Sequence, residues 1–525
     1  MMNNSSDTKS FFIPSIADLV FVVIFLFLSL YDISGMLGDG DTGYHIRAGE
    51  YIVRTLSVPT QDIFSFHSPP LPWTAHEWLT EVIMYFIHSV FGLSGVVIFF
   101  ALLLALTHYF LFRILRSYTT DILLPILVII LVIGSSHIHW LARPHVFSFL
   151  LMISWYYLLD AWHRDRMDRL YLLPLLMLLW VNLHGGFLGG FMLLGAYLAG
   201  NLFSMLTAPL DERDNYRKKC WQLGLTIGLC LIACLINPRG YHILLFPFKL
   251  VSNKYLMDHV SEFLSPNFHQ FMPFKYLLFL LIIVLAVAKK RLDAVELVLV
   301  LLFTNMALYS ARYIPLFAFI VAPLIVRYAN YVPAFPDNAF TRFFAHRSRN
   351  ITLADASAKG CFWPIVAILI VSIAGMSGRI HHSFDSKVKA VEAVEFLKKE
   401  HINGNMFDDD EFGDYIIYAT WPDYKVFFDG RSDMYGSAML KEYGKIISFS
   451  PGWEELLAKN NITWIIYGTN SMLSRYLQCR SDWRLIYSDK VASIFVKNIP
   501  LYAPIIEKYK LTKLAIIEDK DDAMK

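Results

Sequence analysis

Apolar runs separated by short polar hinges occupy most of the chain. The first covers Ile16 to Met36. Others follow at about 93–112, 122–138, 145–161, 170–183, 187–206, 220–236, 271–288, 294–310, 313–328 and 362–378. A run of about 20 apolar residues crosses ~30 Å of hydrocarbon, so the pattern predicts about eleven transmembrane helices. Polar chain precedes the first run and no cleavage-site pattern ends it, which makes it a retained span and not a signal peptide. Beyond residue 380 the pattern changes. Helix-like stretches (Lys387 to Glu400, Trp453 to Lys459) alternate with strand-like ones (Tyr415 to Ala419, Val426 to Asp429, Ile462 to Tyr467, Ala492 to Lys497), as in a small α/β domain. The expected organisation is an α-helical polytopic membrane domain, residues 1–379, followed by an α/β domain, residues 380–525. Two long loops, 37–79 and 237–270, interrupt the first.

Composition sharpens this. Of the 525 residues, 56% are hydrophobic and only 17% charged, against roughly 25% charged in a soluble domain. Lys and Arg exceed Asp and Glu by only two (46 against 44), so no basic excess points to nucleic acid. Five cysteines without zinc or redox spacing exclude a disulfide framework or metal finger. Basic residues near the span ends set the orientation. With the N-terminus cytoplasmic, the inner connections carry Arg113, Arg116, Arg164, Arg166, Arg169, Arg213, Arg217, Lys218, Lys219, Lys289, Lys290, Arg291, Arg342, Arg347, Arg349 and Lys359. The other face has about half as many. An odd number of spans then places the tail outside, in a multi-pass protein of the cell (inner) membrane.

Polar residues at span mouths are expensive and therefore informative. The outer mouths hold Arg143-Pro144-His145, Asn182-Leu183-His184-Gly185-Gly186, Asn237-Pro238-Arg239-Gly240 and Ser310-Ala311-Arg312. In the first outer loop, Asp39-Gly40-Asp41 opens a short amphipathic helix expected to lie in the membrane interface. There Asp41 is a natural N-cap, yet capping does not account for two acids one residue apart with His45 on the next turn. Asp39 and Asp41 suit a divalent cation, or one of them a base. Trp73 and Trp78 read as interfacial anchors, and His76 with Glu77 as catalytic-loop neighbours or a packed pair. Glu262 sits in a loop that returns to the outer face, as a site member or a surface acid. Asp408-Asp409-Asp410-Glu411 reads as a solvated charge run, and Asp429-Gly430-Arg431 as a strand end and turn.

Together these motifs resemble the GT-C superfamily of membrane glycosyltransferases, and more closely a group of bacterial members of that class. The resemblance rests on Asp41, His45, Gly49, Pro59, Asp62, Phe64, Ser65, Trp73, His76–Leu79, Arg143–His145, Trp180–Gly186, Asn237–Gly240, Glu262–Pro266, Ala311–Ala318 and Phe428–Arg431. It implies a polyprenyl-phosphate-linked sugar as donor and an outer-face glycan, lipid or protein as acceptor. Asp41 would be the base, helped by Asp39 and His45. Arg143, Arg239 and Arg312 would bind the donor phosphate, with His145, Asn182 and His184 on sugar or phosphate. In some members of the class the acids hold a metal, here Mg2+ or Mn2+ at Asp39 and Asp41; in others an Asp acts as base alone. No W-W-D-Y-G-type signature is present, which argues against Asn-linked protein glycosylation. The alternatives are a ligase or polymerase using a polyprenyl-pyrophosphate glycan, and, in another class, a lipid or solute transporter. A transporter would show repeat symmetry and mid-membrane charges, and the sequence has no internal repeat.

Overall fold

The computed structural model describes residues 10–333, 336–511 and 513–515. In chain order the helices begin with α1 (Ile16–Leu26), α2 (Asp41–Thr55), α3 (Trp78–Arg116), α4 (Leu123–Ser136), α5 (His145–His163), α6 (Leu172–Leu183) and α7 (Leu188–Thr207). Next come α8 (Arg213–Cys234), α9 (His242–Ser252), α10 (Lys254–His259), α11 (Pro273–Val287), α12 (Ala294–Tyr309), α13 (Ile314–Ala329), α14 (Ala339–Ser357) and α15 (Phe362–Met376). The tail contains α16 (Val391–Glu400), β1 (Asn405–Asp408), α17 (Asp410–Thr420), α18 (Ser432–Ile447), α19 (Trp453–Lys459), β2 (Ile462–Gly468), α20 (Met472–Gln478), β3 (Trp483–Ser488), β4 (Ala492–Lys497) and α21 (Ala503–Tyr509). Each of the eleven apolar runs falls on a helix. Among the described residues, three helical segments are long and apolar enough to cross a membrane: Trp78–Arg116, Gly185–Thr207 and Ala311–Ala329. Seven shorter apolar helices accompany them.

The chain divides into two compact units. The first takes in the chain up to Ile33, Ser94–Pro247 and Met257–His381; the second takes in Ser34–Leu93, Phe248–Leu256 and the chain from His382. The first outer loop therefore groups with the tail. α3 passes from one unit to the other just after Gly92, where φ is 62° and the helix is interrupted.

In the first unit α13 is buried along nearly its whole length and packs against α4, α5, α11 and α12. Burying Arg327 on such a helix requires partners. Its guanidinium meets Asp160 of α5 at 3.0 Å and also Glu296 of α12. Arg164, expected only as a topology signal, joins the same network at 2.9 Å from Asp160 and 2.5 Å from Glu296. Large apolar side chains such as Val23, Phe203, Ile283, Leu301 and Ile373 remain exposed on the helices, far more apolar surface than single scattered residues would leave. The stretch 237–270, expected as loop, contains α9, α10 and a 3-10 turn at Ser261–Phe263.

The second unit is built on a four-stranded sheet in the order β1-β2-β4-β3, with β1 parallel to β2 and the other pairs antiparallel. Phe407, Phe427, Phe428, Tyr443 and Phe495 form part of its core. Residues 415–419 are not a strand: they belong to α17, where Phe412, Tyr415 and Ile416 are buried at helical spacing. Val426 makes only an isolated bridge with Ser65, and 426–429 form no regular strand. α2 is not a half-exposed interfacial helix either, since ten of its fifteen residues are buried and it packs on α17. Trp73, expected as a membrane anchor, is 3% exposed within this unit.

Candidate functional site

Two clusters of chemistry-bearing side chains emerge, one in each unit. In the second, the Asp39-Gly40-Asp41 segment leads into α2. Asp41 is the first helical residue and Gly40 the N-cap, so the expected capping role of Asp41 is not what forms. Asp39 supplies the local bond instead, its Oδ1 accepting the Asp41 N–H at 2.9 Å. The Asp41 side chain is left 6% exposed, in the electropositive first turn of the helix.

A third acid, Asp414 of α17, lies beside Asp41. Gly430 separates them closely: a Cβ there would collide with Asp41 Oδ1 and stand 2.8 Å from Asp414 Oδ2. The Gly430 N–H donates to Asp414 Oδ1 at 3.1 Å. Burial, and then the charges of Asp41, Asp429 and Asp39, push the Asp414 carboxyl well above the usual carboxylate range. A cation stands close by. Lys389 is 1% exposed and bonds Glu411 Oε2 at 2.7 Å. Burial opposes its charge, but Glu411, Asp414 and Asp39 outweigh that and raise its pKa.

The Asp429-Gly430-Arg431 turn is itself a buried ion-pair centre. Arg431 is 1% exposed, with Nη2 2.6 Å from Asp429 Oδ2 and 2.8 Å from Asp62 Oδ1. Its guanidinium lies 4.7 Å from the Trp73 ring, 4.9 Å from Phe64 and 5.8 Å from Tyr44, an aromatic seat that favours a planar cation. Burial tends to raise Asp62, but Arg431, the Ser65 hydroxyl and the Phe64 N–H hold it below the usual carboxylate range. Arg431 therefore fixes the turn that carries Gly430 to Asp41.

His45, one turn along α2, is 1% exposed and lies between Glu77 (3.5 Å) and Glu81 (3.3 Å). His76 joins through Nε2, 3.7 Å from Glu77, and Nδ1, 3.0 Å from the Thr74 carbonyl. His45, His76 and Glu77 thus form a packed chain with Glu81. No group of three or more His, Cys, Asp or Glu side chains among the described residues is arranged to hold a metal ion.

In the first unit, Arg143, His145, Glu262 and Arg312 come together around His139. His145 donates from Nε2 to the His139 carbonyl at 2.7 Å, and its ring centroid lies 6.3 Å from that of His184. Arg143, His139 and Arg312 all act on His145 electrostatically. Glu262 is no isolated surface acid, for its Oε1 meets Arg312 Nη1 at 2.7 Å. His184 Nδ1 is bonded by Ser148 Oγ at 2.7 Å and by the Gly186 N–H at 2.9 Å, which fixes the turn before α7. Asn182 and Arg239 belong to a neighbouring polar turn. Asn182 donates to the Leu178 and Ile236 carbonyls, and Asn237 links the Asn182 side chain to the Arg239 N–H.

Asp414, Lys389 and His139 were not singled out by the sequence, and Arg431 appeared only as a turn residue. His139 had a signal, the His137-Ile138-His139 triplet ending an apolar run. Asp414 had a weaker one, a lone acid among apolar residues after an acidic run.

Neither a family model nor a curated protein matches this chain. Solved structures do. The oligosaccharyltransferase AglB of Archaeoglobus fulgidus, in complex with an inhibitory peptide and a dolichol-phosphate, superposes with a TM-score of 0.54 at 11% identity, covering 93% of this chain and 74% of that one. The same archaeal enzyme tethered to an acceptor peptide containing the NVT sequon gives 0.55 at 11% identity, over 92% and 74%. Its complex with Zn and sulfate gives 0.50 at 11%, over 92% and 73%. Over most of its length, this chain carries the fold of an archaeal oligosaccharyltransferase.

Proposed function

We propose that this protein is a membrane glycosyltransferase that moves a sugar from a polyprenyl-phosphate-linked donor to an acceptor on the outer face of the membrane. One observation carries the reading: Asp41 is buried in the first turn of α2, brought against Gly430 and Asp414, which makes its carboxylate the candidate to remove a proton from an acceptor. The archaeal neighbour's complexes with dolichol-phosphate and acceptor peptide support a lipid-phosphate donor. Asp41 takes the acceptor O–H proton as that oxygen attacks the sugar's anomeric carbon. The bond from that carbon to the phosphate oxygen breaks, and its electron pair leaves with the polyprenyl phosphate. In the first unit, Arg143 and Arg312 are the candidates for binding the donor phosphate. A single displacement of this kind inverts the anomeric centre. His45 and Arg431 act as positioning residues, one along α2 and the other through Gly430.

A second reading keeps the same residues and changes the cargo to a preassembled glycan on a polyprenyl diphosphate. Likeness to an oligosaccharyltransferase favours it. The experiment is turnover by purified protein in vesicles, given polyprenyl-phosphoryl hexoses or diphosphate-linked oligosaccharides with an envelope glycan and lipid extract as acceptor. Release of polyprenyl phosphate supports the first reading and of polyprenyl diphosphate the second. Release of neither overturns both. A chelator arm separates base catalysis from a divalent-ion requirement: indifference supports Asp41 alone, and loss restored by Mg2+ or Mn2+ supports a metal.

A further inference from the structure

At the end of α5 the chain turns away through Asp165, whose backbone is left-handed (φ 54°). The Arg166 N–H bonds the Ala161 carbonyl at 2.9 Å and the Asp165 N–H bonds the Trp162 carbonyl at 3.0 Å, a helix stop usually built on glycine. The aspartate has a use there that glycine lacks: its carboxylate meets Lys219 Nζ of α8 at 3.2 Å. Lys219 also donates to the His163 carbonyl at 2.8 Å and stands 5.8 Å from the Trp162 ring centroid. It is 8% exposed, and these partners compensate the burial of its charge. The end of α5 and the first half of α8 are thereby tied together.

Beside this tie lies a cavity of about 300 Å³, at the small end of the range for small-molecule sites. α8 lines it with Asn215, Lys218, Lys219 and Gln222, positions i, i+3, i+4 and i+7 of a single helical face. The turn after α5 lines it with Arg166 and Asp168. Since Lys219 and Asp165 neutralise each other, two further cations, Arg166 and Lys218, stand against one further acid, Asp168. Among the described residues, the side chains of Asn215, Lys218 and Gln222 have no hydrogen-bond or ion-pair partner. A positive cavity rich in unused N–H donors suits an anion with several acceptor oxygens, and a phosphate has both properties.

The surface of α8 says where that phosphate comes from. Arg213, Asp214 and Arg217 are exposed near its start, whereas Trp221 is 73% exposed and Leu225, Leu229 and Ile232 are exposed beyond it. Charged residues giving way to an exposed Trp and then to apolar side chains mark a helix passing through the headgroup layer into hydrocarbon. The cavity, lined by positions 215 to 222 of α8, spans that change. We propose that it binds the phosphate of an anionic phospholipid headgroup, with the acyl chains lying along the exposed apolar side chains beyond Trp221. Arg166 and Lys218 pair with the phosphate oxygens, and the Asn215 and Gln222 amides donate to them. Lys219 is a positioning residue that holds α8 against the turn. None of the residues assigned to sugar transfer lines this cavity, so the two readings stand or fall separately.

The test counts bound molecules by native mass spectrometry on the full-length protein in a neutral detergent. The probes are phosphatidylglycerol, phosphatidylcholine and inorganic phosphate. The parent should bind one phosphatidylglycerol on the order of tenfold more tightly than phosphatidylcholine, and Lys218→Gln and Arg166→Gln should each remove most of that preference. Arg217→Gln is the control for charge alone: it takes the same charge from the neighbouring residue of α8, which does not line the cavity, and should bind as the parent does. Arg166, Arg217 and Lys218 are all exposed, so the three variants should share the parent's thermal midpoint. A parent without preference for phosphatidylglycerol overturns the proposal, as does undiminished preference in either cavity variant or an equal loss in Arg217→Gln. Inorganic phosphate bound as tightly as phosphatidylglycerol, and lost in the same two variants, would assign the cavity to a soluble phosphate and overturn the lipid reading.

Discussion

Two carboxyls in the second unit show how surroundings move the same chemical group in opposite directions. Asp62 is held down by Arg431, Ser65 and the Phe64 N–H against the effect of its burial. Asp409 is pushed up to about 7 by burial and then by neighbouring Asp410. The solvated run expected at 408–411 is thus only partly solvated: Asp408 is fully buried on β1 and accepts the Phe427 N–H at 2.6 Å. The sequence pattern could not reveal this, because four consecutive acids look alike until a strand end and a helix start divide them. The pH consequence follows from the sign of the shift. Between about 4 and about 7 the folded chain holds a proton on Asp409 that the unfolded chain has released, so this group lowers stability as pH rises through that window. Asn at 409 still caps α17, where the side chain accepts the Glu411 N–H at 3.2 Å. Asp409→Asn should therefore flatten the fall in thermal midpoint between pH 5 and 7 and leave the variant the more stable at pH 7. Parallel pH profiles for parent and variant would contradict this assignment.

At the scale of an element, α2 explains why a helix that carries the candidate base also carries poor helix formers. A glycine inside a helix costs about 1 kcal/mol relative to alanine. Gly43 accepts that penalty to let α17 approach, where a Cβ would stand 2.8 Å from both the Asp414 carbonyl and the Tyr418 Cβ. Gly49 does the same against the start of α3, where a Cβ would overlap the Glu81 backbone carbonyl. Backbone cannot swing aside as a side-chain end can, so Gly49→Ala should destabilise the protein by about 1–3 kcal/mol. Gly224→Ala on α8, where a Cβ meets open space, should leave the thermal midpoint unchanged or slightly higher. Equal midpoints for the two variants would remove the close approach of α2 to α3. The apolar runs were legible as helices because length and hydrophobicity suffice for that. α17 was misread because Tyr415, Ile416 and Ile417 favour strands by composition, while its cap at Asp409 and its helical spacing of buried residues decide the matter.

At the scale of the whole molecule, the sequence made the helical content, the tail and most of the candidate residues visible, but not their partners. Asp62 and Arg431 lie far apart in the chain and meet at 2.8 Å; nothing local to either residue announces the pair. The same holds for Glu262 with Arg312. Orientation is a separate property, testable by chemistry. Cys479 is exposed, so in a Cys361→Ser background a membrane-impermeant thiol reagent should label it in intact cells or spheroplasts. Labelling only after permeabilisation would reverse the orientation and remove the outer-face reaction. The central claim, that Asp41 is the base of a sugar transfer, has a more direct measure. Asp41→Asn keeps the size of the side chain and removes its charge. In vesicle-reconstituted protein with a polyprenyl-phosphoryl hexose donor and envelope acceptor extract, the variant should match the parent in thermal midpoint and lose turnover by a factor on the order of 10² or more. Near-parental turnover by Asp41→Asn would place the catalytic centre elsewhere.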